Sequence, residues 1–349
     1  MKTSFQCEID EQGEALRRMI AFYRQEGTRL LKKWKKLLSK MDGNLLFAGM
    51  GTSFFSPFVI KPLLASKGIL ASIYEAGELL HYELKAVHKN DLIVLTSQSG
   101  ESLETCKVAE QLNNTCPIVA IVNNEDSTLA RHGDLMLPLV AGEEKSITTK
   151  TYTNTIGLLN MMGVTAVSGD LEKELNTLTE ASFQMDSFLE SRAEEVTIAT
   201  KKLENANTIH FLSRGPSMAG AFQGALIFME GARMTAIAMP CGSFRHGPFE
   251  LVRKGHHAIV YVPSSQNGRL VIKMVSEMAD KGSRIVAFSA NTKKIKRNGV
   301  FEITFPKTDD RHLSIAAATP QELLLDKIAS LRGLTCGLLE HGSKITMVE

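Results

Sequence analysis

The sequence has few cysteines and no long apolar run. Its five cysteines include no Cys-x-x-Cys pair, which argues against both a disulfide framework and a structural zinc site. No apolar run approaches the roughly 18 residues needed to span a bilayer, and Glu8 and Asp10 make a signal peptide implausible. No cluster of histidines and carboxylates has the spacing of metal ligands. The sequence therefore predicts a cytoplasmic protein that has no membrane contact, no metal and no cofactor.

The chain also lacks an excess of either charge. It has 40 Lys and Arg against 38 Asp and Glu, a formal net charge of +2, so nothing points to nucleic acid as a partner. A basic cluster does occur at residues 29–36, but Leu30, Leu31, Trp34, Leu37 and Leu38 have helical spacing. This pattern predicts an amphipathic helix with a solvated basic face.

Two similar segments occur in each half of the chain. Residues 97–100 (Ser-Gln-Ser-Gly) resemble residues 265–268, and residues 45–53 resemble residues 209–217 at nearly the same separation. Each copy reads as strand, Gly/Ser turn, helix, two strands, Ser/Gly turn, helix and strand, with residues 117–122 and 284–288 as the last strands. This alternation predicts two parallel sheets with helices on both faces, and 349 residues are enough for two domains.

A hydroxyl-rich bend follows the apolar run at residues 92–95. Ser97, Ser99 and Ser102 could donate to an anion, Gly100 would let the backbone approach it, and the following helix start supplies unpaired amides. The bend therefore predicts a site for the phosphate of a small molecule. An ordinary serine-capped turn is the alternative.

Two proton-handling side chains occur in the second half. Glu230 lies near the end of a helical pattern, and His246 lies in a loop between glycine and proline residues. A carboxylate and an imidazole are a plausible acid/base pair because their ordinary pKa values bracket the acidic to neutral range. A solvated helix-end carboxylate and an ordinary loop histidine are the alternative.

Residues 213–252 resemble the second sugar-isomerase (SIS) domain in the isomerase half of glucosamine-6-phosphate synthase. That family has a Gly-Arg-Gly turn, an Ala/Gly-rich helix that ends in Lys-Glu, and a Glu-x-x-His-Gly-Pro loop, matched here by residues 213–215, 220–230 and 242–248. Residues 51–53, 97–102 and 148–153 resemble the first SIS domain, and residues 344–349 resemble the lysine-bearing C-terminus.

The resemblance implies an α/β fold with two tandem SIS domains, each a flavodoxin-like parallel sheet between helices. Helical or tail extensions are expected at the N-terminus and the C-terminus. The expected segments are an N-terminal helical segment, the first SIS domain, connecting helices, the second SIS domain and an active-site tail. Their respective bounds are residues 1–40, 41–170, 171–205, 206–335 and 336–349.

The resemblance also implies roles for particular residues. Glu230 would move a proton between C1 and C2, His246 of the neighbouring subunit in a homodimer would open the sugar ring, and Lys344 would sit against the carbonyl, as a Schiff base or a polarising group. The sugar phosphate would be held by Ser53, Ser97, Gln98, Ser99 and Ser102. Further substrate contacts would come from Gly51, Thr52, Thr148 and Arg214.

The chain departs from the synthase pattern at several positions. Ile227 stands where the family has a lysine, and Gln223 and Ser243 each replace a glutamate. The sequence has no segment that resembles a glutaminase domain, so it is not expected to draw ammonia from glutamine. The leading hypothesis is therefore a deglycase of Amadori-type sugar phosphates such as fructoselysine 6-phosphate, because the loss of the lysine leaves space for a substituted amine. A glucosamine-6-phosphate deaminase or aldose/ketose isomerase is the alternative, and a non-catalytic phosphosugar-binding regulator is a third.

Overall fold

Helices and strands alternate along most of the chain in the computed structural model, which describes residues 2–341. The elements up to the middle of the chain are α1 (Ser4–Asp10), α2 (Gln12–Arg24), α3 (Thr28–Lys40), β1 (Leu45–Gly49), α4 (Thr52–Phe55), α5 (Lys61–Ala65), β2 (Ala71–Glu75), α6 (Ala76–Glu78), β3 (Leu92–Ser97), α7 (Leu103–Leu112), β4 (Ile118–Val122), α8 (Thr128–His132), β5 (Leu135–Pro138), α9 (Lys150–Ala166) and α10 (Leu171–Ser191). The remaining elements are α11 (Ala193–Leu203), β6 (Thr208–Ser213), α12 (Met218–Ala232), β7 (Thr235–Pro240), α13 (Cys241–Arg245), β8 (His257–Val262), α14 (Gln266–Asp280), β9 (Arg284–Ser289), β10 (Val300–Thr304), α15 (Leu313–Ala316) and α16 (Ala318–Leu331). No helix within residues 2–341 is both long and apolar enough to cross a membrane.

The chain divides into two compact units. The N-terminal unit consists chiefly of Gly13–Ser182, and the C-terminal unit combines the residues up to Gln12 with Phe183–Leu339. The division differs from the predicted segments, because the N-terminal helices are shared between the units and the boundary falls within α10. The predicted domain boundaries therefore remain a sequence-based proposal.

The two units contain parallel five-stranded sheets of the same topology. The order is β2-β1-β3-β4-β5 in the N-terminal unit and β7-β6-β8-β9-β10 in the C-terminal unit. Every residue of β1, β3, β4 and β8 is buried, as expected for strands covered on both faces. The predicted α/β fold of two tandem repeats is confirmed.

Each sheet has one strand more than the sequence pattern predicts. The prediction that residues 117–122 and 284–288 are the last strands is wrong, because β5 pairs with β4 and β10 pairs with β9 beyond them. Both added strands lie at a sheet edge. β5 has only four residues and β10 is mostly half-buried, so β5 is shorter and β10 more exposed than the central strands.

Helix α3 confirms the interpretation of the basic cluster. Leu31, Trp34 and Leu38 are buried, while the lysines between them are exposed. The indole Nε1–H of Trp34 donates to the Met162 carbonyl of α9 at 3.0 Å. The cluster is therefore the solvated face of a helix that packs within the N-terminal unit.

The first helix of the chain packs in the C-terminal unit. Thr3 and Gln6 form a capping box, in which each side chain accepts a hydrogen bond from the other residue's backbone amide. Gln6 then donates from Nε2 to Asp326 Oδ2 of α16 at 2.9 Å. Phe5 and Ile9, on the same helix, are buried. The capping box and these contacts together fix α1 on the last helix of the chain.

A chain of buried histidines links β6, β8 and the start of β9. The Ser283 hydroxyl donates to the His256 carbonyl at 3.2 Å, so the Nδ1–H of His256 donates to Ser283 Oγ at 2.7 Å. His256 Nε2 is then the acceptor for His210 Nδ1–H at 3.1 Å. The His210 ring also packs edge-on against Phe244 of α13. These hydrogen bonds require the His256 imidazole to be neutral, because its Nε2 accepts the proton that His210 donates.

We predict that acidification weakens the C-terminal unit through His256. Burial, with the neighbouring His210 and His257, lowers the pKa of His256 to about 4, below about 6.5 in an unfolded chain. The unfolded state therefore binds the proton first, and stability present above pH 6.5 is lost toward pH 4, by up to about 1.4 kcal/mol per pH unit. Urea denaturation between pH 7 and pH 4.5 measures the loss.

The His256→Gln variant should show a shallower pH dependence, because glutamine keeps hydrogen-bonding capacity without titrating. A matched change at the exposed His246, His246→Gln, should leave the slope unchanged. An identical pH profile for His256→Gln and the parent chain would contradict the assignment.

Candidate active site

The strand order of the N-terminal sheet brings two predicted loops together. β1 pairs with β2 on one side and β3 on the other, in parallel register, with Gly49 opposite Thr96. The loops that leave β1 and β3 therefore emerge side by side at the carboxyl edge, where the strand order reverses and open α/β sheets bind ligands. A Cβ on Gly49 would lie 2.7 Å from Ser53 Cβ and 2.8 Å from the Thr96 carbonyl. The loop after β1 thus folds back against the end of β3 and places Gly51, Thr52 and Ser53 beside the serine-rich bend.

The bend after β3 is held by its own serines. Ser97 Oγ accepts the amide of Gly100 at 3.1 Å and lies 3.1 Å from Ser102 Oγ. Ser99 Oγ accepts the amide of Glu101 at 3.1 Å. A hydroxyl oxygen that accepts from an amide keeps its own O–H to donate. Ser99 can therefore donate to an anion without losing its contact with the backbone.

The serines of the bend differ in their access to solvent. Ser97 is only 2% exposed, whereas Gln98, Ser99 and Ser102 are half-buried. Ser102 is the N-cap of α7, yet its side chain makes no capping hydrogen bond to the helix. The reachable polar surface thus comes from Gln98, Ser99 and Ser102, and Ser97 supports Gly100 from beneath.

Residues outside the predicted motif brace the bend. Gly100 has a φ of 69°, and a Cβ there would lie 1.9 Å from Ser127 Oγ. The Gly100 carbonyl accepts from the Leu129 amide at 3.0 Å and from the Cys106 thiol at 3.3 Å. Burial raises the pKa of Cys106 to about 11, so the thiol stays protonated and donates. The side chain of Glu101 accepts the Thr128 amide at 2.8 Å, which fixes the bend to the start of α8.

Thr148 lies directly before α9, in a segment that is held by a buried carboxylate. Glu144 is 6% exposed and accepts hydrogen bonds from the amides and hydroxyls of Thr149 and Thr151, at 2.7–3.1 Å. A carboxylate at a helix start is stabilised by the unpaired amides there. Glu144 therefore positions the half-buried Thr148, a role that the sequence pattern did not reveal.

In the C-terminal unit, Arg214 occupies the turn after β6. A Cβ on Gly242 would lie 3.7 Å and 3.8 Å from the two terminal nitrogens of its guanidinium. Arg214 Nε is buried without a hydrogen-bond partner. Burial raises the pKa of the neighbouring Cys241 to about 12, against the lowering effect of Arg214. Arg214 is therefore a cation at the carboxyl edge of the second sheet, next to the loop that leads to His246.

The second copy of the serine-rich bend differs from the first. Asp310 Oδ1 accepts the amide of Ser265 at 3.0 Å and lies 3.4 Å from Ser264 Oγ. Gln266 and the two residues after it already belong to α14. A carboxylate thus stands where the first copy presents hydroxyls, and its charge opposes a phosphate. The serine-rich bend is repeated in the sequence, but only the first copy suits an anion.

Glu230 and His246 lie in different surroundings within the C-terminal unit. Glu230, half-buried near the end of α12, is close to the buried Cys336. Burial raises the pKa of that thiol, and the carboxylates of Asp326, Glu322 and Glu230 raise it further. His246 follows α13 directly and is exposed. Lys344, the third predicted catalytic residue, lies outside the described residues.

The positions that depart from the synthase pattern also have defined surroundings. Gln223 and Ile227 are both 0% exposed, and Ser243 is exposed on α13. Ile227 lies one helical turn before Glu230. An isoleucine there contributes no charge beside the predicted catalytic carboxylate.

Comparisons with known proteins agree with this architecture. Residues 37–165 match the SIS domain family, as the resemblance implied. The chain is 27% identical over 347 residues to glutamine–fructose-6-phosphate aminotransferase (isomerizing) of Thermococcus kodakarensis, with coverage of 93% of this chain and 55% of that protein. The chain thus spans about half the length of the curated relatives it matches.

Solved structures share the fold of both units. The C-terminal domain of glucosamine-fructose-6-phosphate aminotransferase from Francisella tularensis superposes with a TM-score of 0.87 at 22% identity, covering 97% of this chain and 98% of that one. Glucosamine-6-phosphate deaminase from Thermotoga maritima superposes with a TM-score of 0.74 at 17% identity, covering 99% of both chains. The fold that the resemblance implied, two tandem parallel sheets flanked by helices, is thereby confirmed.

We predict that Ser97→Ala with Ser99→Ala weakens the binding of a hexose 6-phosphate by roughly tenfold or more. Ser99 loses a charge-assisted hydrogen bond, which contributes about 1.5 to 3 kcal/mol, and Ser97 no longer accepts the Gly100 amide that shapes the bend. Calorimetric titration measures the dissociation constant. Ser39→Ala, at an exposed serine of α3, should leave it unchanged. An unaltered constant in the double variant would place the phosphate elsewhere.

Proposed function

For a chain whose residues 37–165 are a SIS domain, we propose an enzyme that acts at C1 and C2 of an amino-substituted hexose 6-phosphate. The observation that carries the proposal is the bend after β3. It presents hydroxyls and unpaired helix amides at the edge where the strand order reverses, and these groups suit a phosphate dianion. In this proposal, Ser53, Gln98, Ser99 and Ser102 hold the phosphate directly, and Ser97 positions Gly100.

Glu230 is the proposed proton carrier. Isomerisation of a sugar needs a carboxylate that removes a proton from one carbon and returns it to the neighbouring carbon. His246 is proposed to open the ring, and Lys344 to hold or polarise the carbonyl oxygen. Arg214 and Thr148 are proposed to orient the hydroxyls of the open-chain sugar.

The preferred reaction is the removal of an amine from an Amadori-type sugar phosphate. Glu230 would take the C1 proton of the ketosamine, giving an enolamine, and C2 would then be protonated, giving an imine at C1. Water adds to that imine carbon, and the amine leaves with a proton. The balance is ketosamine 6-phosphate plus water giving glucose 6-phosphate plus the free amine.

Ile227 is the reason for preferring a substituted amine. A lysine at this position would place an ammonium within one turn of Glu230, whereas the buried isoleucine carries no charge. Without that ammonium, position 227 does not repel a cationic amine substituent. The substrate class that fits is therefore a hexose 6-phosphate with an amino acid or alkylamine on C1.

Glucosamine 6-phosphate is a second candidate substrate. The fold shared with the Thermotoga maritima deaminase accommodates that chemistry. The same acid/base groups would move the proton in the opposite direction, from C2 to C1. Water would then add at C2, giving fructose 6-phosphate and ammonia. The two reactions therefore differ in the sugar phosphate that they release.

A coupled assay separates the two reactions. We predict that fructoselysine 6-phosphate yields glucose 6-phosphate, which glucose-6-phosphate dehydrogenase detects without added phosphoglucose isomerase. A signal from glucosamine 6-phosphate that depends on added isomerase would instead indicate the deaminase. Tight sugar-phosphate binding without turnover of either substrate would favour a regulator.

Glu230→Gln should lower turnover by roughly 100- to 10,000-fold with binding largely kept, whereas Glu204→Gln, at an exposed residue of the same unit, should have no effect.

We also propose that two chains form a dimer in which His246 completes the partner's site. The imidazole is exposed at the end of α13 and is thus available to another subunit. Mixing inactive Glu230→Gln and His246→Asn chains should restore activity, because mixed dimers contain one site with both groups intact. Failure to restore activity in verified mixed dimers would contradict the shared site.

A further inference from the structure

A cavity lies at the amino edge of the C-terminal sheet, opposite the carboxyl edge that carries Arg214. Its volume is about 520 Å³. His257 begins β8, Arg284 begins β9, and Gly299 directly precedes β10. The cavity therefore opens at the amino ends of these strands, whereas Arg214 follows the carboxyl end of β6. It is lined by Asn205, Lys254, Gly255, His257, Ala279, Gly282, Ser283, Arg284, Asn298 and Gly299.

The wall of this amino-edge cavity carries positive charge. Lys254 and Arg284 both line it, and its lining residues include no Asp or Glu. Neither cation has an ion-pair partner within residues 2–341. Two such charges around one concavity attract an anion, and they attract a dianion more strongly than a monoanion.

A buried imidazole in the wall has one ring nitrogen without a partner. His257 is only 5% exposed, and its Nε2 atom has no hydrogen-bond partner. A buried polar atom without a partner costs free energy that a bound ligand can recover. Burial and the charge of Arg284 lower the pKa of His257, against the raising effect of its hydrogen bond to the Gly255 backbone. Because Nε2 has no partner, that bond is made by Nδ1–H, and Nε2 of the neutral ring is a hydrogen-bond acceptor.

We propose that this amino-edge cavity binds a small organic phosphate. Lys254 and Arg284 neutralise the phosphate, and a hydroxyl of the organic part donates to His257 Nε2, which the protein itself leaves without a partner. The volume lies within the range of about 300 to 1,000 Å³ that is usual for small-molecule sites, so it leaves room for an organic part as well as for the phosphate. Open α/β sheets bind substrates at the carboxyl ends of their strands. A ligand at the amino ends is thus bound without being converted, which suits an effector.

The test uses the full chain with Ser97→Ala and Ser99→Ala, so that the bend after β3 contributes little to binding. Calorimetric titrations with inorganic phosphate and with ribose 5-phosphate should each show saturable binding at one site, tighter for ribose 5-phosphate. Adding Lys254→Ala and Arg284→Ala should weaken both by roughly tenfold or more, because two charge-assisted contacts are lost. The Nε2 resonance of His257, assigned by its loss in His257→Gln, should shift upon titration.

A charge-matched control excludes general electrostatic attraction. Arg269→Ala with Lys273→Ala removes two exposed positive charges from α14, and neither residue lines the cavity. This variant should bind both probes as the parent does. The proposal is overturned if neither probe binds saturably, if the Lys254/Arg284 variant keeps full affinity, or if the control variant loses as much affinity. Circular dichroism shows that each variant is folded before its affinity is compared.

Discussion

The candidate phosphate site depends on one steric constraint at the end of β3. Gly100 adopts a positive φ with Ser127 so close that a side chain would collide with it. Because glycine has no side chain, the bend can turn sharply at this position. In that conformation Ser97 accepts the Gly100 amide, and Glu101 reaches the start of α8. With its backbone bonded in this way, the bend holds the side chains of Gln98, Ser99 and Ser102 in place for a ligand before any ligand arrives, which lowers the entropy lost on binding.

The two units show how a repeated fold acquires different roles. Both sheets have the same strand order, and both have a serine-bearing turn after the third strand. In the N-terminal unit that turn presents hydroxyls, while in the C-terminal unit Asp310 bonds the corresponding amide. The Asp310 carboxylate thus accepts the hydrogen bond of the Ser265 amide, which is then no longer available to a bound anion. Only the first copy therefore remains suited to phosphate.

The sequence allowed the central strands, the duplication and the serine-rich bend to be predicted, because each depends on local pattern. Apolar runs such as residues 92–95 mark strands covered on both faces, and Ser-Gln-Ser-Gly marks the turn that follows. The edge strands were not predicted because β5 is only four residues long and partial exposure breaks the apolar pattern of β10. The supports of the site were missed for a different reason. The contacts of Ser127 with Gly100 and of Glu144 with Thr149 and Thr151 arise from tertiary packing, which a local motif does not encode.

The placement of α1 has a consequence for how the protein is made. Its capping box closes within the first few residues, but Gln6 bonds Asp326 on α16. Because synthesis proceeds from the N-terminus and domains tend to fold as they emerge, the first helix leaves the ribosome long before its docking surface exists. Most of the N-terminal unit, Gly13–Ser182, emerges early in synthesis, whereas the C-terminal unit closes only after α16 is released. A fragment that starts at Phe183 would lack one of its own helices.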